Sequence, residues 1–254
     1  MKIAKKTHDR IVAGLKRYQP IVRKLAERDI SEADTVTVIK DMLSEIFGYD
    51  KYTELTSEQQ IRGTFCDLAI RVEGKIHYLA EVKSAGTTLN DNHLRQAVNY
   101  GAHQGIEWIL LTNGIIWKVY RINFGQPIDW EEVYCFDMGA LSSRSADDLS
   151  KLAMLCRESI STDALEDFHR QAQIFNRFVI SELIQGDNVV GVIRKELRRL
   201  FDLKATDDDI RVLLTNDVVK RDTVDGDAPK AAKAMVKKAV TVLAKRAAKA
   251  IATS

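Results

Sequence analysis

Apolar residues recur along this chain with two different periods, and the elements it predicts change where the period changes. Residues 5–28 carry a helical pattern, with Pro20 either kinking one helix or starting a second. Ser31-Glu32-Ala33-Asp34 has the form of a capping box. The helix it opens sets Val36, Ile39, Leu43, Ile46 and Phe47 on one stripe and stops at Gly48. A polar stretch, 51–64, reads as a connection. Period two then takes over: 66–70 (CDLAI) and 79–83 (LAEVK) read as strands, with a hairpin turn at Glu73-Gly74-Lys75. Asn90 or Asp91 caps a helix running to about residue 103. EWILLT (107–112) is short and continuously apolar, as in a strand buried on both faces. Asn113-Gly114 is a turn and IIWKVYRI (115–122) a further strand. Block 31–125 is thus α-β-β-α-β-β, a mixed sheet flanked by helices.

Beyond about residue 145 strand signals fade. Residues 162–185 read as one helix. Asp187 caps another, with Val190, Ile193, Leu197 and Phe201 facing inward and Arg194, Lys195, Arg198 and Arg199 lining the opposite side. Thr206-Asp207-Asp208-Asp209 opens a third. Asp225-Gly226-Asp227-Ala228-Pro229 reads as a linker. The tail after it is Ala/Lys-rich, with a weak stripe at Val236, Val240, Leu243 and Ile251. The expected fold class is α/β, with a core and N-terminal helices over 1–140, a helical extension over 141–224, and a linker and basic tail over 225–254.

Composition alters this picture little until charge is mapped onto it. The apolar (45%) and charged (29%) fractions are those of a globular protein. No apolar run approaches the roughly 20 residues of a membrane span, and the amino terminus lacks a signal peptide's apolar core. Cys66, Cys135 and Cys156 are widely spaced, with no CxxC pair. They fit a reducing cytoplasm and inert core positions better than a disulfide framework or zinc knuckle. The net charge of +2 conceals a split. Seven Lys or Arg and no Asp or Glu fall within 230–254, leaving 31 basic against 36 acidic residues in the remainder. A basic arm on an acidic body is the pattern of a nucleic-acid contact or a solubilising tail.

The chemistry concentrates in the hairpin. Asp67 sits on its first strand, and Glu81 and Lys83, two apart on the second, leave the same face. Charges on buried strands are costly unless paired, hydrogen-bonded or bound to a metal. Phosphodiester hydrolysis needs a metal to offset phosphate charge and to acidify an attacking water. Mg²⁺ accepts one or two carboxylates among its oxygen ligands. Asp67 and Glu81 can supply them, the Val82 carbonyl a further oxygen, and Lys83 a movable ammonium. A structural ion-pair cluster is the plainer alternative.

Asp67…Glu81-Val82-Lys83 around a hairpin resembles the PD-(D/E)xK nuclease superfamily. The following helix adds His93, Gln96 and Tyr100 at i, i+3 and i+7, read as one polar face opposite Leu94, Ala97, Val98 and Gly101. A Gln-xxx-Tyr helix after the E-x-K strand resembles the branch that includes the amino-terminal nuclease domain of type I restriction subunits. So do the run from Trp108 to Gly114 followed by Trp117, and Phe47-Gly48-Tyr49-Asp50. The resemblance covers about 31–125 and extends more weakly to about 221, through 194–200 (RKELRRL) and 218–221 (VVKR). It implies a restriction-endonuclease-like fold, with Asp67 and Glu81 as metal ligands and Lys83 as a catalytic residue. Gln96 and Tyr100 would position substrate or support the site. A glutamate on the first core helix is also implied; Glu32 matches best, with Asp34 competing.

Three departures qualify the match. Cys66 stands where the signature proline would be, no GxxxxGK[ST] loop supplies a translocating motor, and no sequence-reading module is recognisable. The expectation is a Mg²⁺-dependent DNA endonuclease or exonuclease of restriction or genome-defence type, in which Mn²⁺ substitutes. DNA contacts are expected at Arg194, Lys195, Arg198 and Arg199 and at Lys237, Lys238, Lys245 and Arg246. A homodimer and partner subunits acting in trans are compatible with it. A catalytically silent binding or assembly module and an RNA-directed nuclease are the alternatives.

Overall fold

The structure, a computed structural model, describes residues 3–28, 30–61 and 64–252. It divides into two units, Met1–Asp167 and Phe168–Ser254. The first holds a six-stranded mixed sheet flanked by helices, and the second is helical, as the α/β expectation required.

In the first unit α1 (Lys5–Glu27) runs through Pro20 without interruption. The side chain of Ser31 caps α2 (Glu32–Glu45) by accepting the Asp34 amide, and Ile39, Met42 and Leu43 are its buried stripe. The sheet contains β1 (Leu55–Ile61), β2 (Thr64–Val72), β3 (Lys75–Val82), β4 (Trp108–Thr112), β5 (Ile116–Asn123) and β6 (Asp129–Asp137), in that order across it. Only the central β3–β4 pair is parallel. That pair needs a crossover, supplied by a 3₁₀ turn (Asp91–Leu94) and α3 (Arg95–Gln104). Gly101 lets α3 approach the sheet, because a Cβ there would lie 2.8 Å from the Ile106 carbonyl oxygen.

The two edge strands escape the hydrophobic pattern. LTSEQQI and DWEEVYCFD do not alternate clearly between apolar and polar residues along their length. The segment 51–64, expected as a connection, therefore contains the whole of β1. The helices α4 (Ala146–Met154) and α5 (Arg157–Ile160) fall within the first unit, where α4 packs against α1. Trp117 is a packing residue: it is buried and stacks on Phe136 at 6.0 Å. Cys66 and Cys156 are core residues, whereas Cys135 is exposed on edge strand β6, a correction to the expectation for all three.

The single helix expected over 162–185 is two, α6 (Ala164–Ile174) and α7 (Arg177–Ile184), because Asn176 caps the second through the Phe178 and Val179 amides. In α8 (Asp187–Phe201) Val190 is buried and Ile193 and Leu197 pack beside it. Phe201, expected inward, is 71% exposed at the helix end. The Thr206 capping box opens α9 (Asp207–Leu213) as expected. The linker reading of 225–229 gives way to a helix: α10 (Asp227–Ala252) starts there, with Pro229 in its first turn, where no amide donor is needed.

Candidate active site

The turn of the hairpin sets Val72↔Lys75 and Arg71↔Ile76, and a bulge at Ile70/Arg71 then shifts the register by one residue before the site. Glu73 and Gly74 have φ of 52° and 80°, the paired left-handed conformation of a two-residue type I′ connection. β2 then pairs antiparallel with β3 through Ala69↔Leu79 and Leu68↔Ala80. One residue further, this register sets Asp67 opposite Glu81 on one face of the sheet. Asp67 Oδ2 accepts the Val82 amide at 2.7 Å. On the other side β3 runs parallel to β4, with Glu81↔Leu111 and Val82↔Thr112, and the Lys83 amide donates to the Thr112 carbonyl at 2.9 Å. The short stretch bearing Glu81 and Lys83 is thus held from both neighbouring strands.

Lys83 Nζ lies 2.7 Å from Glu81 Oε1 and 3.6 Å from Glu32 Oε2. Glu32 is the first residue of α2, so its cap brings a third carboxylate to the lysine. Asp34 is occupied in the cap, where its Oδ2 accepts the Ser31 hydroxyl at 2.7 Å. Of the two candidates on this helix, Glu32 is the one beside the hairpin.

Glu81 is 5% exposed. Burial pushes its carboxyl up to about 7; the Lys83 hydrogen bond opposes this, and the charges of Asp67 and Glu32 add to it. For Lys83 burial works downward, but the Glu81 hydrogen bond and the charges of Glu81, Asp67 and Glu32 outweigh it and hold the ammonium above its ordinary range. With every group ionised, three carboxylates face one ammonium, an excess of two negative charges.

Among the described residues no three His, Cys, Asp or Glu side chains converge as a metal-ligating group. The oxygens offered here are the Asp67 and Glu81 carboxylates and the Val82 carbonyl. This all-oxygen, net-negative set fits Mg²⁺, which retains waters and needs few protein ligands. It does not fit a softer metal that requires nitrogen or sulfur.

The accessory helix departs from its expected face. Gln96 is exposed on α3, but Tyr100 is 2% exposed and packs with Cys66, Ala97, Val98 and Ile122. Its hydroxyl is buried with no hydrogen-bond partner among the described residues. One turn from Gln96, Tyr100 lies just inside the packed side of the helix, so the two do not share a polar face. His93 belongs to the capping box, its Nδ1 accepting the Asn90 amide at 3.3 Å.

One supporting residue went unsingled in the sequence. Asn113 is buried; its Oδ1 accepts the Ile115 and Ile116 amides, and its Nδ2 donates to the Thr87 carbonyl at 3.0 Å and the Ala85 carbonyl at 3.4 Å. It ties the β4–β5 turn to the loop that follows Lys83. The Asn-Gly pair signalled the turn, but the bonds to the distant loop have no local signature.

In the second unit the basic residues expected to meet nucleic acid separate into two groups. On α8, Arg194 pairs with Asp207 at 3.4 Å and Arg199 with Glu196 at 2.6 Å, leaving Lys195 and Arg198 exposed on a partly neutralised face. On α10, Lys237, Lys238, Lys245 and Arg246 are all exposed. No family model, curated protein or solved structure matches this chain.

Proposed function

We propose that this protein is a metal-dependent nuclease that hydrolyses phosphodiester bonds in DNA, with an endonuclease favoured over an exonuclease and a role in restriction or genome defence. The observation that carries the reading is the meeting of Asp67, which accepts the Val82 amide next to Glu81, with Lys83 bonded to Glu81 and lying 3.6 Å from Glu32. An excess of two negative charges at a partly buried site is unfavourable, and a divalent cation relieves it. Asp67, Glu81 and the Val82 carbonyl would hold Mg²⁺, whose charge offsets that of the phosphate and acidifies an attacking water. The chain's own contribution is positional. The strands on both sides fix Glu81 and Val82, and Lys83 presents an ammonium to orient the water and stabilise charge growing on the phosphate. Gln96, exposed on the neighbouring helix, is the accessory residue available to substrate.

The test is cleavage of duplex, single-stranded and modified DNA, and of RNA, by the purified chain with Mg²⁺ or Mn²⁺, beside Glu81→Gln. Cutting by the wild type and its loss in the variant supports the reading; equal cutting by both refutes it. One observation favours a silent binding or assembly module instead: Lys83 already gives Glu81 a counter-charge, and among the described residues no third ligating side chain converges. Calorimetric titration with Mn²⁺ separates the two. The nuclease has a site that Asp67→Ala removes, and the module has none.

A further inference from the structure

α10 is used unevenly along its length. Its first turns pack on α7, with Pro229 and Ala232 buried and Val236 half-buried. From residue 237 to 246 every side chain is exposed, including Val240 and Leu243, which continue the packed stripe into solvent. At 1.5 Å per residue the 26-residue helix is about 39 Å long, so a rod of roughly 15 Å stands clear of its support within this unit.

Its chemistry is one-sided. No acidic residue follows Asp227, and among the described residues the ion pairs of α10 are confined to Lys230 with Asp227 at 3.4 Å. This sets it apart from α8, whose arginines are partly neutralised by Glu196 and Asp207. The cations come in two pairs, Lys237-Lys238 and Lys245-Arg246, eight residues apart. That spacing is about 12 Å along the axis, close to the roughly 12 Å width of the DNA major groove. Between the pairs stand small or short residues, Ala239, Thr241 and Ala244 among them, which let a helix come near a phosphate wall. An anionic membrane surface would also attract such charge, but interfacial helices bury a face of Trp, Phe and Leu; of these, 237–246 offers Leu243 and no aromatic residue.

We propose that residues 237–246 of α10 form a docking arm for the phosphate backbone of duplex DNA, its two cation pairs reaching the phosphates on either side of a groove. The arm supplies affinity without sequence preference. The choice of DNA as the polyanion rests on the nuclease reading above.

The experiment measures binding of the full chain to a labelled 24-base-pair duplex in EDTA, from 50 to 200 mM KCl. Four phosphate contacts contribute roughly 3.6 to the slope of log affinity against log salt. K237Q/K238Q/K245Q/R246Q should flatten the slope by about that amount, so that wild-type affinity falls about a hundredfold more than the variant's across this range. K237R/K238R/K245R, which keeps the charge, should retain the wild-type slope. An unchanged slope in the glutamine variant, or a flattened one in the arginine variant, overturns the proposal. So does binding of this segment to phosphatidylserine vesicles without binding to DNA. Because EDTA removes catalysis, a flattened slope in a chain that never cuts leaves the arm standing and refutes only the nuclease.

Discussion

Lys83 Nζ stands 2.7 Å from Glu81 Oε1, so the two ionised side chains leaving one end of β3 are partners before any substrate or cation arrives. Their bond explains how a carboxylate can sit at 5% exposure opposite another one. It also makes the lysine structural as well as chemical. Lys83→Met keeps most of the side-chain volume and leaves Glu81 buried beside Asp67 without its counter-charge. The expected outcome at pH 8 is a loss of about 1–3 kcal/mol in urea unfolding, less than the roughly 3–5 kcal/mol of a fully buried pair, because Lys83 is partly solvated. Cleavage should fall about 10²–10³-fold. At pH 5, where Glu81 is protonated, the stability difference should shrink; an equal loss at both pH values would show that the pair does not carry it.

The raised Glu81 carboxyl gives the metal-free protein a pH dependence of definite sign. Burial, the leading cause, moves Glu81 from an ordinary 4.5 to about 7. A carboxyl raised by folding stabilises the native state fully below the unfolded value and loses that contribution as pH rises through the folded one. The metal-free wild type should therefore lose stability between about pH 4.5 and 7, by about 2 kcal/mol relative to Glu81→Gln, which has no proton to lose. Denaturant midpoints of both proteins in EDTA at pH 4.5, 6 and 8 measure it. Mg²⁺ binding requires the ionised carboxyl, so Mg²⁺ affinity measured by calorimetry should rise with pH over this window and level off above pH 7. An affinity independent of pH across it would remove Glu81 from the proposed metal site.

How far the chain could be read in advance depended on whether an interaction was local. The hairpin, the Asn-Gly turn, the Ser31 and Thr206 caps and the four central strands rest on neighbours in sequence, and the structure has them. Alternation places Glu81 and Lys83 on one face, but counting from the turn alone sets Asp67 opposite Ala80, and the bulge at Ile70/Arg71 that brings Asp67 beside Glu81 has no signal in the sequence. β1 and β6 were not legible because LTSEQQI and DWEEVYCFD do not keep an apolar/polar alternation over the length of a strand. Tyr100 was misplaced because a tyrosine at the border of a helix face can lie on either side, and only the packing of α3 on β2 decides it. Nor could the capping reading of Asp34 exclude it from the site until the distance from Lys83 to Glu32 was known.

Tyr100 offers a test that separates packing from chemistry. Its hydroxyl is buried without a partner among the described residues, so removing it costs no hydrogen bond and relieves a desolvated polar group. Tyr100→Phe should unfold at equal or higher temperature, by up to about 1 kcal/mol, and cut within about twofold of wild type. Tyr100→Ala should lose about 3–5 kcal/mol through the cavity it leaves. A Phe variant as stable as wild type but tenfold slower would return the hydroxyl to the reaction, through a water or substrate contact made during turnover.

Asn113 should hold Lys83 in place from a distance, and its two functions can be divided by chemistry. Its carbonyl oxygen accepts the Ile115 and Ile116 amides and shapes the β4–β5 turn, while its amide nitrogen donates to Thr87 and Ala85 in the loop after Lys83. Asn113→Asp keeps the acceptor and sets a carboxylate oxygen against two carbonyl oxygens, so the turn should survive and the loop should be released. Hydrogen exchange should quicken across 84–89 but not at Ile115 and Ile116, with a loss of about 1–3 kcal/mol in stability. Asn113→Ala should quicken exchange in both segments, because both sets of bonds are lost. Cleavage should fall in both variants, since Lys83 sits one residue before the freed loop. If exchange at 84–89 is unchanged in Asn113→Asp, the loop is held by other contacts, and Lys83 is placed by its amide bond to Thr112 and its contacts with Glu81 and Glu32.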